Sequence, residues 1–126
     1  MPDIRQWSTV VEPTVGGFVI DEIGEMREVL RAIVDATASG DTVIVAAVAG
    51  KRIRVLGLIL VGSAAVTVRF RSGVTPISAG FPLAANGGMA PPVTAHGWAQ
   101  TTVNEALNLN LSGIANVGGQ ILYCLI

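Results

Sequence analysis

Few side chains in this sequence could carry out catalysis or bind a metal ion. His96 is the only histidine, Cys124 is the only cysteine, and Glu105 is the only acidic residue after Asp41. A zinc site needs three or four ligands, and a catalytic triad needs a nucleophile beside an oriented base. We therefore expect no catalytic residues, no metal site and no cofactor. Glu105 is interpreted as a turn residue that contacts backbone amides or an arginine.

Clustered basic residues could in principle bind phosphate or nucleic acid. The stretch 49–52 (AGKR) is similar to the end of a phosphate-binding loop. That motif requires Gly at position 45 and Ser or Thr at position 52, whereas this chain has Val45 and Arg52, so the match fails. The one aromatic residue between these basic side chains, Phe70, falls on the apolar side of an alternating strand pattern, so it is not placed to stack on bases. We expect neither nucleotide nor nucleic-acid binding, and a solvated or intersubunit face instead. The cluster comprises Lys51, Arg52, Arg54, Arg69 and Arg71.

Trp98 allows two interpretations. It lies near glycine in the segment 96–98 (HGW), with Gln100 and Asn104 close in sequence. Stacking on a sugar ring is one interpretation, and packing at the edge of the core is the other and the favoured one. Cys124 lies in the apolar run 121–126, which favours a packed thiol over a reactive one.

Composition indicates a chain that associates with other proteins. Of 126 residues, 51% are hydrophobic and only 13% are charged, against about 25% charged in typical soluble domains. The longest apolar run, 55–61, is too short to span a bilayer, and the first residues lack the pattern of a secretory signal. We expect no membrane association. Charge is also divided: residues 1–41 hold eight acidic and three basic residues (−5), and residues 42–126 hold one and five (+4).

Alternating apolar and polar side chains indicate β-strands. The pattern is clearest at Leu107, Leu109 and Leu111, and it recurs at Val66, Val68 and Phe70. Further short apolar stretches are separated by turns rich in glycine, and no helices alternate with them. This organisation predicts an all-β fold, an antiparallel β-sandwich or jelly roll of about eight strands.

The run 52–61 predicts a strand that is apolar on both faces. A loop at 62–65 suggests a hairpin in which Val61 pairs with Val66 and Ile59 with Val68. In that register one face of the strand would line the core and the other face would need a cover from outside the domain. We predict that this face is an oligomer interface, formed by Leu56, Leu58, Leu60, Arg69 and Arg71.

The N-terminal part is predicted to be an arm, residues 1–28, that precedes a jelly-roll domain, residues 29–126. The three- and four-residue spacing of Ile23, Met26, Leu30 and Ile33, with Asp21 as a cap, favours a short helix within 21–36, although Gly24 weakens it. The alternative is an extended chain, in which residues 29–37 form the first of the eight strands. The acidic arm would be attracted to a basic surface on a neighbouring subunit or on another partner protein. Burial of apolar arm residues would supply most of the binding, and these residues are Trp7, Val10, Val11 and Phe18.

Two stretches carry a resemblance to a known class of proteins. Residues 39–56 (SGDTVIVAAVAGKRIRVL) and the segments PLAANGG, HGW and EALNLNLSG within 81–113 resemble jelly-roll virion proteins of tailed bacteriophages, of the capsid cement or decoration type. The resemblance covers about residues 30–126, and its motifs mark strands and turns. It implies a trimeric jelly roll with no cofactor and no turnover.

Two functions remain open from the sequence. The first is a non-enzymatic structural subunit of the virion, made in the cytoplasm of the host bacterium, which forms a homotrimer and binds the major capsid protein or another virion protein. The second is a ligand- or glycan-binding module of a head or tail fibre, with Trp98 at its site. The apolar strand face and the divided charge favour the first, because both require protein partners.

Overall fold

A computed structural model describes residues 17–126, and every regular element among them is a β-strand. None of these residues forms a helix of the length and hydropathy that a membrane crossing requires. The strands are β1 (Phe18–Ile20), β2 (Met26–Glu28), β3 (Leu30–Ala36), β4 (Gly40–Val45), β5 (Ile53–Gly62), β6 (Val66–Ser72), β7 (Thr75–Pro76), β8 (Phe81–Leu83), β9 (Gly88–Met89), β10 (Ala99–Gln100), β11 (Leu107–Leu111) and β12 (Val117–Leu125).

Two antiparallel sheets form the sandwich, and a separate hairpin joins β1 to β2. Sheet I has the order β10-β5-β12-β3, with β9 also on β5, and sheet II has the order β4-β11-β6-β7, with β8 also on β6. Between β3 and β12 the chain passes from one sheet to the other six times, at β3/β4, β4/β5, β5/β6, β8/β9, β10/β11 and β11/β12. This arrangement is a jelly roll, and it confirms the predicted all-β antiparallel sandwich.

The core lies between the two sheets and follows the alternation seen in the sequence. Leu107, Leu109 and Leu111 of β11 are buried beside the apolar side chains of β6, and they face β5 and β12 of the other sheet. The intervening Asn108 and Asn110 lie on the opposite side of β11, where Asn110 donates to Asp41. Period-two patterning therefore identified both the strand and its buried face.

The predicted hairpin between β5 and β6 is wrong. β5 pairs with β12, β9 and β10, whereas β6 pairs with β11, β7 and β8 in the opposite sheet. The segment 63–65 crosses between the sheets, so Val61 and Val66 are not ladder partners. β5 obtains its backbone partners from distant parts of the sequence, whereas β6 pairs with the distant β11 and with the nearby β7 and β8.

The outer face predicted for Leu56, Leu58 and Leu60 is also wrong, because the chain itself buries all three. Leu58 and Leu60 belong to the main core, and the exposed residues of this part of β5 are Ile59 and Val61. A bulge explains the exchange of faces. Leu122 pairs with Gly57 and Tyr123 with Val55, which leaves Leu56 as an extra residue and shifts the alternation by one position.

No helix forms within 21–36. The segment instead makes a turn after β1, then β2 and the seven-residue strand β3. Asp21 does cap a turn as its sequence position suggested, but the amides it accepts from belong to Ile23 and Glu25 of a hairpin turn. Pairing of β3 with β12 over seven residue pairs outweighs the local helical spacing.

The described part of the predicted arm is folded against the sandwich. Residues 17–28 form the β1–β2 hairpin, and the Val29 amide donates to the Gly17 carbonyl at 2.7 Å where the hairpin joins β3. Trp7, Val10 and Val11 lie outside the described residues. Phe18 lies in β1 and is exposed.

Candidate functional site: the N-terminal hairpin surface

The β1–β2 hairpin presents an apolar face to solvent. Ile20 pairs with Met26, and Phe18 lies on the same side two residues before Ile20. These three side chains are exposed, Ile20 by 56%, and Ile23 at the tip of the turn is exposed as well. We define the hairpin surface as Phe18, Ile20, Ile23 and Met26. An apolar group of this kind, rimmed by polar residues, marks interaction sites in soluble proteins.

Asp21 closes the hairpin turn. Its Oδ1 accepts hydrogen bonds from the backbone amides of Ile23 at 3.0 Å and Glu25 at 2.8 Å, and its Oδ2 accepts from Arg27 Nε at 2.8 Å. The Arg27 hydrogen bond, helped by the two amides, holds the pKa of Asp21 below its usual range. Gly24 completes the turn with φ +82°, a conformation that favours glycine.

A bidentate salt bridge attaches the hairpin turn to sheet I. Arg54 of β5 is almost fully buried, and its guanidinium donates to both carboxylate oxygens of Glu22 at 2.7 and 2.9 Å. The same guanidinium donates to Gln100 Oε1 and the Ala95 carbonyl. The hydrogen bonds from Arg54 lower the pKa of Glu22 to about 2.

A small apolar cluster lies beneath the hairpin. Leu56, Val29 and Cys124 are buried there and pack with Val19 from the inner side of β1, together with Leu122 and Ile126. Leu56 reaches this cluster because it follows the core residue Val55 and lies on the opposite face of β5. The burial predicted for Cys124 is confirmed, and burial raises the pKa of its thiol.

The side chains considered for chemistry are not brought together. His96 is exposed in a loop, Cys124 is buried under the hairpin, and Glu105 accepts a 2.5 Å hydrogen bond from the Ser72 hydroxyl. Ser72 is fully buried, so a substrate cannot reach its hydroxyl. Within residues 17–126, no three His, Cys, Asp or Glu side chains lie close enough to hold a metal ion.

The basic residues do not form a single surface. Arg54 belongs to sheet I and is occupied by Glu22, whereas Arg69 and Arg71 belong to sheet II. Arg71 is paired with Asp41 at 2.8 Å. The predicted joint interface of Arg69 and Arg71 with the β5 leucines is therefore wrong, since the leucines are buried and face the interior. Within the described residues, acids of the first 41 residues pair with later arginines of the same chain, Glu22 with Arg54 and Asp41 with Arg71.

Trp98 forms one wall of an apolar recess of about 110 Å³. Its Nε1 donates to the Pro92 carbonyl at 2.8 Å, and its side chain is 47% exposed. The Gln100 side-chain oxygen accepts from Arg54, and the Asn104 side-chain oxygen accepts from the Gly50 amide. The remaining walls of the recess are apolar and comprise Leu58, Phe70, Phe81, Met89 and Pro91.

The sequence reasoning found one of the four members of the hairpin surface, Phe18. The three- and four-residue spacing predicts that Ile23 and Met26 lie on the apolar face of a helix. No sequence pattern predicts Ile20 as a contact residue. The alternation of Phe18, Val19 and Ile20, followed by Asp21 and Gly24 as turn residues, was the available signal. Comparison of the chain with protein-family models, with curated proteins and with solved structures finds no match.

Proposed function

We propose that this chain is a non-enzymatic structural subunit of a tailed-bacteriophage virion, of the capsid cement or decoration type. In this proposal the chain self-associates, and the resemblance of residues 30–126 to phage jelly-roll proteins favours a trimer. It attaches to the major capsid protein or another virion protein through its N-terminal segment. The observation that carries the proposal is the hairpin surface, an apolar face held on a jelly roll by the buried Arg54.

Rigid attachment makes this hairpin suitable for docking. Asp21 fixes the turn, Glu22 joins it to Arg54, and Val19 anchors β1 on the cluster around Leu56. The exposed side chains are therefore held in place before binding, and less conformational entropy is lost when a partner covers them. Full burial of a side chain of this size is worth about 1.5 to 3 kcal/mol. Four partly exposed side chains would support a stable contact.

The glycan-binding alternative has weaker support. Sugar sites combine an exposed aromatic ring with polar side chains that fix the hydroxyl groups. Trp98 is exposed, but its indole NH donates to the Pro92 carbonyl, and the side-chain oxygens of Gln100 and Asn104 accept hydrogen bonds from within the chain. The geometry around Trp98 supports contact with apolar groups more than contact with sugars.

Attachment can be tested with heads of the phage that encodes this chain, prepared without it. The double variant Ile20→Ser/Met26→Ser removes two paired apolar side chains from the hairpin surface and leaves Asp21, Glu22 and Val19 unchanged. The matched control, Val43→Ser/Val74→Ser, removes two exposed valines of sheet II and its adjoining turn. We expect the hairpin variant to lose co-sedimentation with heads while the control retains it.

The results separate the parts of the proposal. Equal co-sedimentation of both variants would place attachment outside the hairpin surface. Absence of the protein from mass spectra of purified virions would reject a structural role in the particle. Circular dichroism of each variant establishes that the sandwich is folded before binding is compared.

A further inference from the structure

Strand β3 forms one edge of sheet I. Its ladder partner is β12, which pairs with all of residues 30–36 without a bulge, and within residues 17–126 no other strand hydrogen-bonds to its second side. β3 contains no proline or glycine. Edge strands usually carry such residues or bulges because a regular free edge can pair with another strand.

The outer face of β3 carries a charged residue on each side of an exposed isoleucine. Ala32, Val34 and Ala36 face the core side, so Arg31, Ile33 and Asp35 face outward. Ile33 is 78% exposed. Among the described residues, neither Arg31 nor Asp35 forms an ion pair. Further along the same face, Gln120 lies between Ile33 and the exposed Ile59 in one row across three strands.

This pattern is complementary to itself in one antiparallel register. When Ile33 lies opposite Ile33 of the partner subunit, Arg31 lies opposite Asp35 of the partner subunit, and the reverse pair forms by symmetry. An antiparallel register shifted by four residues places Arg31 opposite Arg31 of the partner subunit, or Asp35 opposite Asp35 of the partner subunit. Parallel pairing in register also places like charges opposite each other. Directly opposed unlike charges stabilise a strand pair, and like charges destabilise it.

We propose that β3 pairs with β3 of a second copy about a two-fold axis at Ile33, which joins the two copies of sheet I into one continuous sheet. Such an interface is isologous, as two-fold contacts between identical chains are. The inference deepens the self-association part of the proposed function and does not depend on attachment to a capsid. Alone it produces a dimer, and combined with a three-fold contact whose axis it meets at right angles it produces a hexamer.

Charge reversal provides the sharpest test. Arg31→Asp alone creates two Asp–Asp contacts across the axis, and Asp35→Arg alone creates two Arg–Arg contacts, so each should weaken association at least tenfold. The double variant Arg31→Asp/Asp35→Arg restores both attractions with reversed polarity and should associate like wild type. Sedimentation velocity measures the association of each variant from micromolar to sub-millimolar concentration. Circular dichroism checks that each variant is folded. Equal masses for wild type and both single variants would overturn the contact.

Crosslinking tests the register even when association is weak. Directly opposite Cβ atoms in antiparallel strands lie about 4.5 to 5.5 Å apart, so a short bismaleimide should link two copies of the Ile33→Cys variant. Cys124 is buried and gives little background. Ile114→Cys is the matched control, because Ile114 is similarly exposed but lies beyond β11 in a bend. Crosslinking of Ile33→Cys no faster than Ile114→Cys would overturn the proposal.

The same measurements distinguish failure of this contact from failure of the proposed function. A monodisperse trimer leaves every β3 edge unpaired, so it would overturn the two-fold contact and support the trimeric subunit. A monomer at every concentration, without specific crosslinking, would overturn both forms of self-association. Neither charge-reversal variant alters the hairpin surface, so capsid co-sedimentation remains an independent measurement.

Discussion

Arg54 of β5 and Glu22 of the hairpin turn form a bidentate salt bridge. Arg54 Nη1 lies 2.7 Å from Glu22 Oε2, and Arg54 Nη2 lies 2.9 Å from Glu22 Oε1. The guanidinium is buried in the body of the protein, whereas the carboxylate is about half exposed. A buried cation that loses its counter-ion is costly, so this contact favours the docked position of the hairpin. The ion pair is therefore the main polar link between the hairpin and the sandwich.

Glu22→Gln should loosen the hairpin without unfolding the sandwich. The amide can accept only one of the two hydrogen bonds from Arg54 and carries no charge, so the docked state loses its strongest polar contact. We expect trypsin to cleave after Arg27 several-fold faster than in wild type. Asp35→Asn is the control, because Asp35 makes no ion pair among the described residues and does not adjoin the bond that trypsin cleaves. Equal cleavage of the two variants would show that the apolar cluster alone holds the hairpin.

The same ion pair should make hairpin docking sensitive to acid. The pKa of Glu22 is lowered from 4.5 to about 2 in the folded protein, so the ionised carboxylate stabilises the folded state. That contribution is complete above pH 4.5 and disappears as the pH falls through about 2. Carboxyl-carbon NMR should find the Glu22 midpoint near 2, and the Arg54→Met variant should return it towards 4.5. A wild-type midpoint near 4.5 would contradict the ion pair.

Leu58→Ala should destabilise the single chain rather than dissociate an oligomer. Leu58 is 8% exposed and packs in the main core, and removal of a buried leucine side chain costs about 2 to 5 kcal/mol. Ile59→Ala is the matched control on the adjacent residue, which points to the outer face and is 44% exposed. Its effect on the free energy of unfolding should be about 1 kcal/mol or less. Urea denaturation of both variants measures the difference, and the reverse order would contradict the bulge.

Gly119→Ala should be among the most harmful small substitutions in β12. Gly119 has φ +151°, and a Cβ there would lie 1.8 Å from the Ile59 carbonyl oxygen and 2.8 Å from its carbon, so the β5 backbone would have to move. We expect a loss of about 4 kcal/mol or more, or failure to fold. Gly118→Ala is the control, because its nearest contact would be 4.0 Å away. Thermal melts that are equal for the two variants would contradict this packing.

Sequence reasoning recovered the parts of the fold that depend on local alternation. The period of two in 66–72 and 107–111 identified strands and buried faces, and the apolar run 121–126 indicated the burial of Cys124. These inferences succeeded because a strand inside a sandwich must place every second side chain in the core, and that requirement is visible in consecutive residues.

The candidate site depended on contacts that local patterns do not contain. Phe18 was predicted as a contact residue, but the hairpin surface exists because Asp21 closes a turn, Glu22 reaches Arg54, and Leu56 supports Val19 from below. Arg54 is 32 residues from Glu22 in the sequence. The spacing of Ile23, Met26, Leu30 and Ile33 suited a helix equally well, and pairing of β3 with β12 decided between them.

The sequence by itself determined an all-β chain of short strands, apolar enough for a sandwich and provided with very few side chains for chemistry. The tertiary structure alone decided which strands are neighbours and which face of β5 is buried. Jelly-roll topology placed β5 and β6 in opposite sheets, and the extra residue Leu56 reversed the alternation between Val55 and Leu58. The physical reason is that strand pairing is non-local: backbone groups accept partners from anywhere in the chain, and one unpaired residue exchanges the two faces of everything that follows.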